Sequence, residues 1–428
     1  MMFTRTMFKA RPSGWADSTA VRMPSGLAWA CTLLAVMMIA WSPFSGGARL
    51  PTAVLAMVGV FLCFRSGVAI FRQSVVRRWS AVFMLLWLPM WLSCLQAEHP
   101  QASLVAIAWF SLLYFAALPL LLTFQVTRYR QLFAQWVTGI MLLWMLDSSI
   151  QYLFGVDLLG IAKTPEGRIT GMFHDLHQGI LMLPMLPLLF YHWLPKRPRL
   201  AWALVLGVGV VVTLSGARGY LYIFLLMLLL ALSQQRASWK VWAAVLCMPL
   251  LAVALAGALS PQLAKYKLQH TQAIADTQQS TFDRVNHALS YRLNLWETGL
   301  HMWQAHPLTG VGSNHFKRVY AEYATRSDDP FVAHPTHTHN IYVEWVAETG
   351  LMGGIGLIAI MGLCVAWFRQ AARPLQQQAW PYALTLMVIY FPLNTTQPML
   401  VPWWFPVLML LACLMIASLQ RDQDAQAS

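Results

Sequence analysis

The chain is dominated by long apolar runs broken by short charged or Pro/Gly-rich links. Reading those runs predicts helices near 26–43, 51–64, 79–96, 102–124, 132–152, 177–194, 201–215, 220–234, 241–259, 341–368, 380–397 and 403–419. A bilayer-crossing helix needs about 20 mostly apolar residues. The expected fold class is therefore an all-α polytopic membrane protein of about 12 transmembrane helices. Residues 26–259 hold the first nine and 341–419 the last three. Short tails at 1–25 and 420–428 flank them, and a large polar segment at 260–340 lies between the two groups. Composition agrees: 58% of the 428 residues are hydrophobic and 11% charged, against about 25% charged in soluble domains. The first apolar run ends at Trp41–Phe44 without a small-residue cleavage site, so it reads as a retained span.

A net charge of +13 raises the question of nucleic acid, and the placement of the basic residues answers it. With a cytoplasmic N-terminus, eighteen of the twenty-nine Lys/Arg fall in inside segments, among them Arg65, Arg72, Arg77, Arg78, Arg128 and Arg130. The short outside links hold four: Arg49, Lys163, Arg168 and Arg218. This is the positive-inside pattern. It places both termini in the cytoplasm and makes the basic excess a topology signal, with membrane lipid rather than nucleic acid as the partner. All six cysteines lie in apolar runs, so neither a disulfide framework nor a CxxC pair is present.

The 260–340 segment then lies outside. It carries eight of the twelve histidines, with seven basic and six acidic residues. Leu293, Trp296, Leu300 and Trp303 recur at helical spacing and predict an amphipathic helix on the membrane surface or over the bundle. Pro307, Gly310 and Gly312 end that helix and form a turn.

Several residues stand out chemically. Arg218 occupies Ser215–Gly219, a link too short to hold an independent loop between two apolar runs. A guanidinium there either snorkels or binds an anion such as phosphate. Arg292 opens the surface helix one turn before Trp296; it pairs with an acid such as Glu297 or meets a ligand. His334, His337 and His339 cluster where the loop enters the next span. Such a cluster is a solvated loop, a metal site or a general base near neutral pH. With no cysteine in the loop and no HExxH pattern, no metal is expected. Glu344 and Glu348 follow on the entering helix, the first placed to orient His339 or pair with an Arg, the second to tether the helix. Lys163 and Arg168 sit in another outside link and either help hold an anion or are ordinary loop charges. His174 and Asp175, in the same link, rank below His339.

Three pieces together resemble the O-antigen ligase and polymerase superfamily of bacterial envelope enzymes. The first is Arg292-x3-Trp296 followed by His306, Pro307, Gly310, Gly312 and Phe316. The second is His339-Asn340-x7-Glu348-x-Gly350-x2-Gly353. The third is Arg168, Thr170, Gly171 and Phe173, with Arg218 two spans further on. The resemblance covers the latter half of the chain in order; the first half matches only in hydropathy. It implies a GT-C-like, inverting glycosyltransferase of the bacterial inner membrane that needs no cofactor. It also implies an undecaprenyl-pyrophosphate-linked glycan donor, a lipid A-core acceptor and a site facing the periplasm. By the same resemblance His339 matches the family's essential histidine, Arg292 its loop arginine and Arg218 its arginine at the short outer turn. His337 flanks His339 and leaves open which imidazole is the base, with Glu344, Arg168 and Lys163 as supporting residues. A polymerase or a protein O-glycosylation ligase shares the donor; a lipid-linked glycan transporter is a further alternative.

Overall fold

The computed structural model describes residues 21–44, 46–216, 218–233, 280–392 and 397–420, with six isolated positions between 243 and 258. Apolar helices follow one another along the chain: α1 (Ser25–Ala40), α2 (Arg49–Ser66), the single turn α3 (Ala69–Arg72), α4 (Ser74–Cys94), α5 (Pro100–Thr123), α6 (Thr127–Phe154), α7 (Gln178–Trp193), α8 (Pro198–Leu214) and α9 (Arg218–Ser233). The polar segment supplies α10 (Thr281–Ala288), α11 (Arg292–Ala305) and the single turn α12 (Tyr320–Tyr323). The chain closes with α13 (Ile341–Gln370), α14 (Arg373–Ile389) and α15 (Phe405–Ser418).

Eleven of the twelve expected runs fall on these helices. The run 241–259, most of both predicted tails and the start of the 260–340 segment lie outside the described residues. Among the described residues, α2, α4, α5, α6 and α13 are long and apolar enough to cross a membrane, and α1, α8, α9 and α15 are shorter apolar helices. The helices share one continuous core, with α2 packed on α5, α4 on α5 and α13, α7 on α8, and α14 between α7 and α15. Thr385 of α14 donates to the Pro184 carbonyl of α7 at 2.7 Å, a buried polar tie of the kind that holds helices together where lipid surrounds them.

Two expectations about the elements need correction. The run at 380–397 folds as a helix that begins at Arg373 and stops at Ile389. Pro374 fits the first helical turn, where its missing N–H is no loss, and this draws the polar Gln376–Gln378 stretch into the helix. The surface helix forms as α11, yet the expected stripe is not its packed face. Leu295, Thr298, Gly299 and Met302 are buried, whereas Leu300 is 45% exposed. The buried face is one position away because α11 lies on the start of α13 rather than flat on lipid. Leu295, Met302, Val311, Phe316, Tyr320 and Ala347 form a separate small core there.

The join between this small core and the bundle is made of backbone. At Gly350 (φ 63, ψ −161) the helix α13 breaks, which frees amides and carbonyls on either side. The turn after α11 takes them up. Val311 and Gly312 donate to the Ala347 and Glu348 carbonyls at 3.0 and 3.1 Å, and Leu351 and Met352 donate to the Pro307 and Leu308 carbonyls at 2.9 and 3.3 Å. The two strands of backbone lie so close that a Cβ at Gly350 collides with the Leu308 carbonyl, and one at Gly310 collides with Glu348 and Thr349. The Glu348 carboxylate completes the tie by accepting from the Phe316 amide at 3.1 Å. Ser313 is anchored in turn by Ser93 of α4 (2.9 Å) and Ser103 of α5 (3.1 Å).

Gly350 occupies a backbone region that only glycine enters without a penalty of about 1–3 kcal/mol, before any collision is counted. Gly350→Ala and Gly310→Ala are therefore expected to lower thermal stability in detergent by several degrees or abolish folding. Gly362→Ala, at a helical position with open space around it, is expected to be neutral or slightly stabilising. Equal melting temperatures for all three proteins would contradict the backbone join.

Candidate functional site

The site lies where α13 begins. Asn340 caps the helix, its Oδ1 accepting from the Tyr342 and Val343 amides at 3.0 and 3.3 Å. Its Nδ2 donates to the Pro392 carbonyl at 3.1 Å, tying the loop to the segment after α14. One residue earlier His339 adopts the left-handed conformation (φ 54). That region is sparsely populated by residues other than glycine and is tolerated where surrounding contacts over-determine it.

Those contacts converge on Thr338, which is fully buried. Its amide donates to Glu344 Oε2 at 2.9 Å and its hydroxyl lies 3.1 Å from the same oxygen. Its carbonyl accepts from Trp296 Nε1 at 2.9 Å. The Arg292-x3-Trp296 spacing thus has a structural meaning: one turn of α11 presents the guanidinium and the next grips the histidine loop. Glu344 holds this loop through Thr338.

Clamping Thr338 fixes the residues on both sides of it. The His337 and His339 rings lie 4.0 Å apart between centroids. His337 Nε2 is buried without a hydrogen-bond partner. Burial, followed by the positive charge of Arg292 and Lys317, pushes His339 down to about 3; burial and the neighbouring His339 push His337 down to about 2. Both causes act against the imidazolium, so both rings are neutral at physiological pH.

Arg292 is delivered by a second strained junction. Ser290 (φ 56) and Tyr291 (φ 62) are both left-handed, turning the chain sharply from α10 into α11. Asn286 fixes that turn: its Oδ1 accepts from the Leu293 amide at 3.1 Å, its Nδ2 donates to Asn294 Oδ1 at 2.7 Å, and its carbonyl accepts from Tyr291 at 2.7 Å. Arg292 lies within electrostatic reach of His337, His339 and the Tyr220 hydroxyl of α9. Arg168 reaches the same hydroxyl. It also ties its loop to the turn before α9, with Nε donating to the Ser215 carbonyl at 2.8 Å. Arg218 is the first residue of α9; its side chain lies outside the described residues. Lys163 is engaged elsewhere, donating to the Tyr152 carbonyl at 2.6 Å with its ammonium 4.9 Å from the Tyr152 ring.

Two residues that carried no sequence signal join the cluster. His177, at the start of α7, interacts electrostatically with both loop histidines and packs its ring 5.1 Å from that of Trp403. Asp175 Oδ2 lies 4.0 Å from its Nδ1, yet burial outweighs that charge and keeps the ring below its usual pKa. It is His177, rather than the exposed His174, that the 155–177 link brings to the site. Lys317, four residues beyond Ser313, is exposed and adds positive potential to both loop histidines. Among the described residues, no group of three His, Cys, Asp or Glu side chains gathers as metal ligands.

Comparison with known proteins bears on this half of the chain. Residues 200–358 match the family model described as O-Antigen ligase. That stretch includes Arg292, His337, His339, Glu344, Glu348 and Gly350. A relative, the exopolysaccharide production protein ExoQ of Rhizobium meliloti (strain 1021), is 32% identical over 106 residues. The matched stretch spans 23% of this chain and 23% of that protein.

Imidazoles held neutral by the fold take up protons on unfolding below their ordinary value of 6.5. Their contribution to stability is thus present above pH 6.5 and is lost as pH falls toward the folded values. Thermal melts across that range are expected to fall more steeply for the wild type than for a His337→Gln/His339→Gln double variant. Parallel pH profiles would show that the two rings are not buried as described.

Proposed function

We propose that the protein is an O-antigen ligase of lipopolysaccharide biosynthesis. It transfers a glycan from undecaprenyl pyrophosphate to a sugar hydroxyl of lipid A-core at the periplasmic face of the bacterial inner membrane. The observation that carries this reading is the juxtaposition of a neutral, clamped imidazole pair with Arg292 at one end of an apolar bundle. The family match supports the reaction class.

In this reading His339 takes the proton of the acceptor hydroxyl as that oxygen attacks the anomeric carbon. The bond from that carbon to the pyrophosphate oxygen breaks on the opposite face, so configuration inverts. Arg292 and Arg218 hold the pyrophosphate as its charge grows, a role that fixed guanidinium groups fill without a metal. His339 is preferred to His337 as base because His337 Nε2 is sealed from solvent. Glu344 positions the loop through Thr338, Arg168 braces the turn before α9, and Lys163 stands outside the catalytic group. A GT-C-like architecture and two cytoplasmic termini accompany the proposal. A polymerase using the same donor is the second reading, favoured by the relative's role in exopolysaccharide production.

A base with a pKa near 3 is weak until substrate arrives. The donor's negative charges next to Arg292 offset the cationic surroundings and raise the imidazole toward neutrality. The acid limb of kcat, which reports the loaded enzyme, is therefore expected at higher pH than that of kcat/KM, which reports the free enzyme. Arg292→Gln removes a charge that depresses His339 and should shift the kcat/KM limb upward. Coincident limbs that ignore Arg292→Gln would remove His339 as the base.

The direct experiment incubates purified protein with undecaprenyl-pyrophosphate glycan and lipid A-core, with EDTA present and ATP absent. A ladder on lipid A-core is expected, reduced at least about 100-fold in His339→Ala. Full activity in that variant would overturn the assignment, and glycan chains lengthened on the donor lipid instead would favour the polymerase.

A further inference from the structure

A cavity of about 210 Å³ opens at the end of the bundle opposite the histidine loop. Helix α7 joins the two ends: His177 precedes its first residue and His192 lies in its last turn. The fifteen residues between them span about 22 Å at roughly 1.5 Å per residue. Polar side chains converge on the cavity from three helices: Arg130 and Gln131 of α6, His192 of α7, and Gln377 and Gln378 of α14. Among the described residues that line it, none is Asp or Glu, and Arg130 carries a permanent positive charge.

Arg130 is buried and held by neutral acceptors. Its Nη2 donates to Thr127 Oγ1 at 2.8 Å and to Gln378 Oε1 at 3.2 Å, and its Nη1 donates to the Phe124 carbonyl. The guanidinium stands in the first turn of α6, where the helix dipole itself favours negative charge. Helix α14 begins at the same end, and neither helix has an acidic residue in its first turn. The opposite dipole end, that of α7, carries His192, whose Nε2 lies 3.5 Å from Lys196 Nζ. Charge, helix ends and side chains thus all favour an anion. A planar guanidinium fork and amide donors suit the oxygens of a phosphate group. The cavity is smaller than the roughly 300–1,000 Å³ that buries a drug-sized ligand, so it admits a head group and leaves the rest of the molecule outside.

We propose that this cavity binds the phosphate group of an anionic ligand, with Arg130 as the charged contact and Gln131 and Gln377 as hydrogen-bonding ones. Two sources share that chemistry: an anionic phospholipid of the leaflet opposite the histidine site, and a water-soluble phosphate ester. Either would bridge α6, α7 and α14 and stabilise the folded bundle by mass action. The cavity is separate from His339, so it stands or falls independently of the transfer reaction.

The test follows the melting temperature of the purified full-length protein in detergent during titration with dihexanoyl phosphatidylglycerol, dihexanoyl phosphatidylcholine, glycerol 3-phosphate and inorganic phosphate. A saturable rise with phosphatidylglycerol but not with phosphatidylcholine is expected. A matching rise with glycerol 3-phosphate or inorganic phosphate supports the water-soluble source, and its absence supports the lipid. No saturable rise with any of the three anions overturns the site. Gln378→Glu sets a carboxylate against Arg130, so the ligand-free protein should melt no lower than the wild type while anion affinity falls at least about tenfold. Gln131→Glu, at an exposed position on the cavity wall, is expected to weaken binding in the same way. Arg128→Gln removes an exposed charge outside the lining and should change affinity by no more than about twofold, because exposed charges are screened by salt. Unaltered affinity in both glutamate variants overturns the proposal. So does a loss in Arg128→Gln as large as theirs, which would assign the binding to the basic surface at large.

Discussion

The break in α13 at Gly350 is the constraint on which the rest of the structure depends. A helix interrupted inside an apolar bundle exposes amides and carbonyls that need partners, because an unpaired backbone group in a low-dielectric setting is costly. The turn at Pro307–Gly312 supplies all four bonds described here. In doing so it locks the outer helices to the bundle through backbone rather than through adjustable side chains. The register of α11 on α13 follows, and with it the approach of Trp296 to Thr338 and of Arg292 to the histidine loop. Glu348 strengthens the same join from the side-chain level, gathering the Phe316 amide.

Around that frame the site concentrates features that are unfavourable singly. His339, Ser290 and Tyr291 are left-handed without being glycine, and two imidazoles are buried against each other among cations. Thr338 bears the load of this arrangement, with Glu344 and Trp296 gripping it from two helices. Rotation of the loop would cost those buried bonds, so the strained backbone persists. The outcome is an uncharged imidazole pair in positive surroundings, a setting that favours an anionic ligand and is electrically changed by one.

The chemistry and the membrane meet at the same place. On the proposed reading both substrates are lipids, and a site at one end of an apolar bundle lets a head group react while its chain stays in an apolar phase. An apolar cavity between α13 and α14 is backed by α4 and α15.

The helices were legible in the sequence because lipid imposes a length and a polarity on any segment that crosses it, and eleven runs could be read on that basis alone. Boundaries were less so: Pro374 starts α14 well before its apolar run. Arg292 stood out as the residue that opens the surface helix, and His337 and His339 as titratable groups where the polar segment enters an apolar stretch. His177 and Lys317 did not, since their proximity to the loop histidines comes from packing between distant segments. The face of α11 was misread for the same reason. Leu293, Trp296, Leu300 and Trp303 make a plausible apolar stripe, but which stripe is buried depends on where the Gly350 break holds the partner helix. Periodicity and charge along one chain thus determined the spans and most of the candidate residues. Only the tertiary structure decided which of those residues meet, because contacts between segments far apart in sequence are set by three-dimensional packing.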